Sequence, residues 1–172
     1  MPTHYGGAPP EVAALDAYIK LMRAADSVTA RLEPVMASAG LTIGQFGVLE
    51  ALLHLGSLCQ RDLGRKLLRS SGNITVVVNN LARRGLVRRM RRRHDRRFVT
   101  VSLTDKGRRL IETLFPRHVA LVVREMGYLS RPEQAELGRL CRLLGRGERR
   151  EVGGKETGHG PVRHALRLAR AL

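Results

Sequence analysis

The chain holds 172 residues with a mass of 19.1 kDa, the size of one domain with at most a short appendage, and its aromatic content of 3% without any Trp disfavours an aromatic-rich β-sandwich. The formal net charge is +16, and residues 56–146 carry 22 Lys and Arg against seven Asp and Glu, which indicates a polyanionic partner, with nucleic acid first and an anionic membrane second. No apolar run approaches the roughly 18 residues of a membrane helix, and the first residues lack the pattern of a signal peptide, so we expect a cytoplasmic protein.

The first two predicted helices are marked by apolar spacing and by their ends. Apolar residues recur at helical intervals from about 11 to 39, and Gly40 follows as a stop signal. The next helix starts after Thr42, a suitable N-cap that Gln45 completes as a capping box, and Gly56 ends this helix.

Two shorter helices are predicted next. Leucines indicate a helix over about 60–68, and the stretch SSGNITVVVNNLARRGL indicates another over 71–84, capped by Ser70 or Ser71 and closed by Gly85. The β-branched residues of that stretch favour a strand locally, but the caps and the apolar spacing favour a helix. We expect its buried face to consist of Ile74, Val78 and Leu81.

The second half of the chain begins with alternating apolar and polar residues. They predict strands over 86–91 and 97–103 that form a β-hairpin with a basic tip. Two long helices follow, opened by Thr104 and Ser130 as N-caps.

Three segments are expected to depart from regular structure. Pro34 should kink or shorten the first helix, and Pro116 should interrupt the helix that begins at Thr104. The Gly-rich, charged residues 147–172 predict a basic flexible tail.

Two short helices followed at once by a hairpin indicate a winged helix-turn-helix, so the expected fold class is mainly α with a small β-hairpin wing. In this fold the second helix enters the DNA major groove and the wing reaches the backbone or minor groove. Residues 83–97 carry nine Arg against one Asp, a density suited to phosphates and to a narrow minor groove. The residues expected to contact DNA or shape the wing are Ser71, Gly72, Asn73, Thr75, Val76, Asn79, Arg83, Arg91, Arg92, Arg93, Asp95, Arg96 and Arg97.

Base readout is assigned to the outward face of the helix over 71–84. Helical geometry turns Thr75, Val76 and Asn79 away from the predicted core. An Asn amide can bridge N6 and N7 of adenine, while Val or a Thr methyl can contact a thymine methyl. Plain solvation of Asn79 and Asn80, and a further core contact by Val76, are the alternatives.

The same positive charge is compatible with other functions. A solvated flexible turn or an RNA patch would also explain it, so the alternative function is a sequence-independent architectural or RNA-associated protein. Scarce aromatic residues disfavour single-strand stacking platforms. Nothing resembles a nucleophile–base pair, a phosphate-binding loop or a zinc site, so we expect no enzyme, no cofactor and no metal. Cys59 and Cys141 match no metal spacing and are expected to be small buried side chains.

The stretch SGNITVVVNNLARRGLVRR, followed by HDRRFVTVSLTDKG, closely resembles the signature of MarR-type transcriptional regulators. The resemblance extends from about residue 12 to 146. It implies that Arg97 enters the minor groove, that Asp95 holds the wing by an internal ion pair and that Arg96 lies near phosphate. Family members often carry Arg at Val76 and an Asp-Arg pair at Asn79 and Asn80, so their sequence preference cannot be transferred.

The resemblance also implies an organisation and a regulatory mode. A winged helix domain over 11–146 would comprise long dimerisation helices, 11–38 and 104–146, and a DNA-binding lobe, 42–103. The implied function is a homodimeric repressor that binds an inverted repeat on double-stranded DNA and is released by a ligand or oxidant.

Effectors of such regulators bind between the dimer helices and the DNA-binding lobe. The candidate lining residues here are Tyr18, Met22, His54 and Arg65, although a surface position near a helix end is the alternative for His54. Oxidant-sensing members place a reactive Cys near the start of the first helix, where this chain has none. Cys59, close to Arg61, is the alternative redox site.

Overall fold

The structure, a computed structural model, describes residues 3–67, 70–91 and 99–147. These residues fall into two units, one that ends at Tyr128 and one that begins at Leu129. The elements in chain order are α1 (Pro9–Ala37), α2 (Ile43–Leu55), β1 (Leu58–Cys59), α3 (Gln60–Lys66), α4 (Ser71–Arg83), β2 (Val87–Arg91), β3 (Val99–Leu103), α5 (Asp105–Met126) and α6 (Arg131–Arg146).

Short-range capping sets the start of α2 and α4. The Thr42 hydroxyl accepts from the Gln45 backbone N–H at 3.3 Å, and Gln45 Oε1 accepts from the Thr42 N–H at 3.1 Å, which confirms the predicted capping box. Ser70, rather than Ser71, caps α4, because its hydroxyl accepts from the Asn73 N–H at 3.3 Å. These bonds satisfy backbone donors that would otherwise lack partners in the first turn.

Glycines close the same two helices. Gly56 follows α2 with φ of 73°, and Gly85 lies in the turn after α4 with φ of 68°. These values fall in the left-handed region, which favours glycine because a Cβ would clash there. Both predicted helix ends are confirmed.

The predicted interruption at Pro116 is wrong. The helix α5 runs without a break from Asp105 to Met126 with Pro116 inside it. Proline removes one backbone hydrogen bond, to the carbonyl of Glu112. Both residues lie on the exposed side of α5, so water can reach the face where the bond is lost. In α1 the helix continues three residues past Pro34 and ends at Ala37.

The core of the first unit is aliphatic. Along α4 the buried residues follow the predicted spacing, with Ile74 2% exposed and Val78 and Leu81 fully buried. They pack in one cluster with buried side chains from α1, α2, α3, β2, β3 and α5, and the partly buried Leu58 of β1 packs against this cluster. Its other buried members include Met36, Phe46, Leu49, Leu52, Leu63, Leu86, Val87, Val101, Ile111 and Leu114. This burial fixes which face of α4 is left outward.

The wing belongs to a sheet of three antiparallel strands in the order β1-β3-β2. The predicted hairpin is confirmed, with Val87 paired to Leu103 and Arg91 paired to Val99. The strand β1 was not predicted, since it has only two residues and pairs with β3 about forty residues later, with Leu58 opposite Val101.

A buried ion pair joins α1 to α5. The Glu125 side chain is 3% exposed and accepts from Arg31 Nε, while Arg124 Nη2 donates to its other oxygen at 3.1 Å. The Arg31 hydrogen bond holds the pKa of the Glu125 carboxyl below its usual value, burial opposes that shift and Arg124 adds to it. The carboxylate is therefore kept ionised inside the helix contact.

The helix α6 buries none of its residues in the single chain. Leu137, Leu140 and Leu144 form an exposed stripe at helical spacing. Cys141 is exposed beside this stripe and Cys59 is half-buried, so the predicted burial of Cys141 is wrong. The physical reason is that none of the described residues of its own unit, 129–147, forms a second element that covers α6. In the described part of the chain, every helix is too short or too polar to cross a membrane.

Candidate nucleic-acid interface

The outward face of α4 carries the predicted base-reading residues. Gly72 and Asn73 are exposed in its first turn, and Val76 is 58% exposed, which excludes the alternative core role for Val76. Asn79 and Asn80 are half-buried two turns from the start. An exposed apolar side chain between polar ones is suited to a base edge.

Thr75 is placed differently from the expectation. Its side chain is half-buried, and its hydroxyl accepts a hydrogen bond from Gln60 Nε2 at 2.7 Å. This bond ties α4 to Gln60, the first residue of α3. Gln60 Oε1 is buried without a hydrogen-bond partner among the described residues. The Thr75 hydroxyl is therefore already engaged within the protein.

Two arginines bond to the asparagines of α4. Arg89, on β2, donates through Nη1 to Asn79 Oδ1, and Arg83 donates through Nη2 to Asn80 Oδ1. The first bond crosses from the wing to the helix, whereas the second spans one helical turn. The side chains of the helix and of the wing are thus ordered together.

These residues line an open groove between α4 and β2. Its wall is made of Val76, Asn79, Asn80, Ala82, Arg83 and Arg89. Both guanidinium groups are permanently charged, and the described residues that line the groove include no carboxylate. The groove therefore attracts polyanions and offers hydrogen-bond donors beside one apolar contact.

Most of the predicted wing contacts lie outside the described residues. These are Arg92, Arg93, Asp95, Arg96 and Arg97. The backbone of Ser71 belongs to α4 and that of Arg91 to β2, and the DNA contacts expected of their side chains remain predictions.

Arg89 was not among the expected contacts, although the alternation of β2 contains the signal. Residues two apart on a strand share a face. Val87 is buried beneath α4, so Arg89 leaves β2 on the same side. Arg88 points to the other face, where its Nε donates to the Ser102 hydroxyl at 2.9 Å. The wing therefore presents two adjacent arginines in different roles.

The four candidate effector residues lie on three helices. Tyr18 and Met22 are exposed one turn apart on α1. His54 is exposed in the last turn of α2, which agrees with the alternative of a surface position near a helix end. Its ring packs edge-on against that of Phe115, with the ring centroids 4.6 Å apart. Arg65 forms an ion pair with Asp62 on α3. No hydrogen bond or ion pair within the described ranges joins these four residues to one another.

Comparison with known proteins agrees with this architecture. The sequence model of the family Transcriptional regulator SarA/Rot matches residues 31–114. The HTH-type transcriptional regulator MhqR of Bacillus subtilis is 34% identical over 119 residues, which are 69% of this chain and 82% of MhqR.

Solved structures show the same fold. BpsR of Bordetella bronchiseptica, whose DNA binding is regulated by 6-hydroxynicotinic acid, matches with a TM-score of 0.69 and 27% identity, over 75% of this chain and 98% of BpsR. AbsC, a MarR family transcriptional regulator from Streptomyces coelicolor, matches in fold with a TM-score of 0.73 and 22% identity, over 84% of this chain and 97% of AbsC.

The helix pair, the sheet and the basic groove define a winged helix-turn-helix protein of the DNA-binding class. The chain belongs to the MarR family of transcriptional regulators. The relatives named above are regulators rather than enzymes.

Proposed function

We propose that the protein is a homodimeric repressor that binds an inverted-repeat operator and is released by a small ligand. The observation that carries this proposal is the groove between α4 and β2, where base-reading side chains and guanidinium groups face outward together. In a winged helix-turn-helix the corresponding helix lies in the major groove. The lobe over 42–103 would hold the DNA, with Arg97 in the minor groove and Asp95 bracing the wing.

Exposed apolar stripes support the homodimer. On α1 the large side chains Leu15, Tyr18 and Met22 are exposed at helical spacing, and on α6 Leu137, Leu140 and Leu144 form a second such stripe. Contiguous apolar surface of this kind marks interaction sites in proteins. Helices 11–38 and 104–146 are therefore the proposed dimerisation elements, and a two-fold axis would present two copies of α4 to an inverted repeat.

A second basic groove supports a ligand-dependent release. It lies between α1 and α5 and is lined by Val35, Arg117, Ala120, Leu121 and Arg124. Two guanidinium groups beside aliphatic side chains suit a small molecule that combines a carboxylate with an apolar body. BpsR responds to an aromatic acid, 6-hydroxynicotinic acid. Small aromatic carboxylates are therefore the first ligands to test here, alongside the surface around Tyr18, Met22, His54 and Arg65.

The operator proposal is tested by selection from a random duplex library at near-physiological salt. We expect an inverted repeat whose half-sites lie about 10 base pairs apart, one helical turn. An enriched motif would also supply the DNA on which ligands are screened for release. Selection of no motif, with binding that collapses steeply as salt rises, would instead support the sequence-independent architectural protein.

The same library separates the wing from the helix. Arg97→Ala should weaken binding to all selected sequences alike, because a minor-groove arginine contributes mainly through charge and shape. Asn79→Ala should relax the preference at one base position. An equal loss for both variants on every DNA would contradict base readout by Asn79.

A further inference from the structure

We propose that α4 selects guanine over adenine, because arginines occupy the amide oxygens of its two groove asparagines. Arg89 holds Asn79 in this way, and Arg83 holds Asn80. The inference rests on the proposed operator binding and specifies which base edge the groove takes.

The arginine bonds determine how each amide is oriented. A guanidinium group has donors and no acceptor, so the atom that meets Arg89 must be the amide oxygen of Asn79. The same holds for Asn80 opposite Arg83. What each asparagine has left for a base is chiefly its NH₂ group, which is a donor.

Donors alone match one purine better than the other. In the major groove, guanine presents two acceptors, O6 and N7, whereas adenine presents the N7 acceptor and the N6 amino donor. An asparagine reads adenine by accepting from N6 while donating to N7. In Asn79 the accepting oxygen is already shared with a cation, and an adenine amino group would be brought against the Arg89 guanidinium.

The pairing of Asn79 with Arg89 is imposed by the fold. Arg89 is placed by the β2–β3 ladder, where it lies opposite Val101, and it contacts a helix residue ten positions earlier in the chain. Because β2 and α4 both pack on the core through Val87 and Val78, the Arg89 and Asn79 side chains lie within hydrogen-bond reach of each other on the groove wall. Arg89 is therefore a specificity-determining residue that acts both on Asn79 and directly on the base.

The groove also predicts the neighbouring base. Val76 is one turn from Asn79 and Asn80 on the exposed face of α4 and is the apolar member of the groove wall. An apolar side chain in the major groove contacts the thymine methyl. The half-site should therefore combine a guanine with a nearby thymine.

The test compares Arg89→Ala with Arg88→Ala on duplex libraries. Arg88→Ala is the matched control, because it removes the same charge from the adjacent position. The Arg88 side chain bonds to Ser102 and not to α4. The native chain should prefer guanine over adenine at one half-site position by about fivefold or more. R89A should reduce that preference to about twofold or reverse it, whereas R88A should weaken binding without changing it. Circular dichroism confirms that both variants are folded.

A chemical probe tests the same contact from the DNA side. Replacement of the selected guanine by 7-deazaguanine removes the N7 acceptor and should lower binding of the native chain by about fivefold or more. The same replacement should matter less to R89A.

The outcomes separate the two proposals. Guanine selection would be overturned if the selected motif contained no guanine whose preference changes in R89A. It would also be overturned if R89A and R88A had equal effects at every position. Operator binding would stand in both cases. Failure of the native chain to select any motif would overturn both.

Discussion

Arg84 Nη1 donates to the carbonyl oxygen of Gly40 at 2.6 Å, and its Nη2 donates to that of Ala39 at 2.9 Å. Arg84 follows the last residue of α4, so these bonds connect the end of α4 to the turn that follows α1. Lys106 Nζ in turn donates to the Arg84 carbonyl at 3.2 Å. In addition to the shared core, one side chain therefore joins the end of α4 to the turn after α1.

Removal of the Arg84 hydrogen bonds to Ala39 and Gly40 should destabilise the fold. For Arg84→Ala we expect a loss of about 1–2 kcal/mol in the free energy of unfolding, because two hydrogen bonds disappear and each contributes on the order of 1 kcal/mol. Urea denaturation followed by circular dichroism measures it. Arg83→Ala is the control, since it removes the same charge next door but only a bond within one turn of α4, to Asn80. Equal losses for both variants would contradict a stabilising role of the Arg84 hydrogen bonds.

The Arg31–Glu125 pair predicts an unequal response to removal of either partner. Arg31→Ala leaves a carboxylate that is 3% exposed with one remaining cation, Arg124. Glu125→Gln leaves Arg31, which is 45% exposed and can be hydrated. Because an unpaired buried charge costs more than an exposed one, R31A should lower the thermal midpoint more than E125Q does. The reverse order would contradict this assignment.

The same pair predicts how stability depends on pH. The pKa of Glu125 lies below its usual value of 4.5 in the folded chain because Arg31 donates to it. A depressed pKa contributes stability that is fully present above the usual value and is lost as the pH falls through the folded one. The stability difference between the native chain and E125Q should therefore be constant at neutral pH and shrink below about pH 4.5. Glu112→Gln is the control, because it removes a carboxylate from an exposed pair with Arg108, and such pairs contribute little to stability.

Local sequence was sufficient for the helix ends and the core face of α4. The Thr42 capping box, the closing Gly85 and the spacing of Val78 and Leu81 depend only on residues within a few positions, so pattern rules predict them. The rule for Pro116 failed because packing of α5 keeps the helix together despite one lost backbone bond.

Contacts between distant segments could not be predicted in the same way. The strand β1 exists only because β3 lies beside it, and the partners of Arg84 and Arg89 are chosen by how helices and strands are brought together. In the sequence these arginines appear only as positive charge. The sequence therefore predicted which helix face and which basic segment form the candidate site. The hydrogen bonds that orient its side chains could not be predicted without the fold.

A glycine at a close backbone contact gives a steric prediction. A Cβ on Gly107, in the first turn of α5, would lie 1.9 Å from the Leu86 carbonyl oxygen. A backbone atom cannot move aside cheaply, so Gly107→Ala should lower the free energy of unfolding by about 1–3 kcal/mol or more. Gly138 in α6 has nothing within 4 Å of the same position. Gly138→Ala should be neutral or stabilising by up to about 1 kcal/mol through helix propensity. If both variants lowered the free energy of unfolding equally, the loss in Gly107→Ala could not be assigned to the clash with the Leu86 carbonyl, and the steric explanation would be contradicted.

The exposed stripe on α6 gives a prediction about assembly. Leu140 lies in its middle, between Leu137 and Leu144. If the stripe is part of the proposed dimer interface, Leu140→Asp should raise the dimer dissociation constant at least about tenfold, because a two-fold interface buries each substituted position twice.

Ala135→Asp is the matched control for the dimer. It places the same charge on the same helix but on the side opposite the stripe, and Ala135 is exposed. Sedimentation velocity over a range of concentrations measures both variants. A monomeric L140D beside a dimeric A135D would assign the interface to this face of α6. An L140D that stays dimeric like A135D would place the dimer contact elsewhere and leave the stripe to another partner.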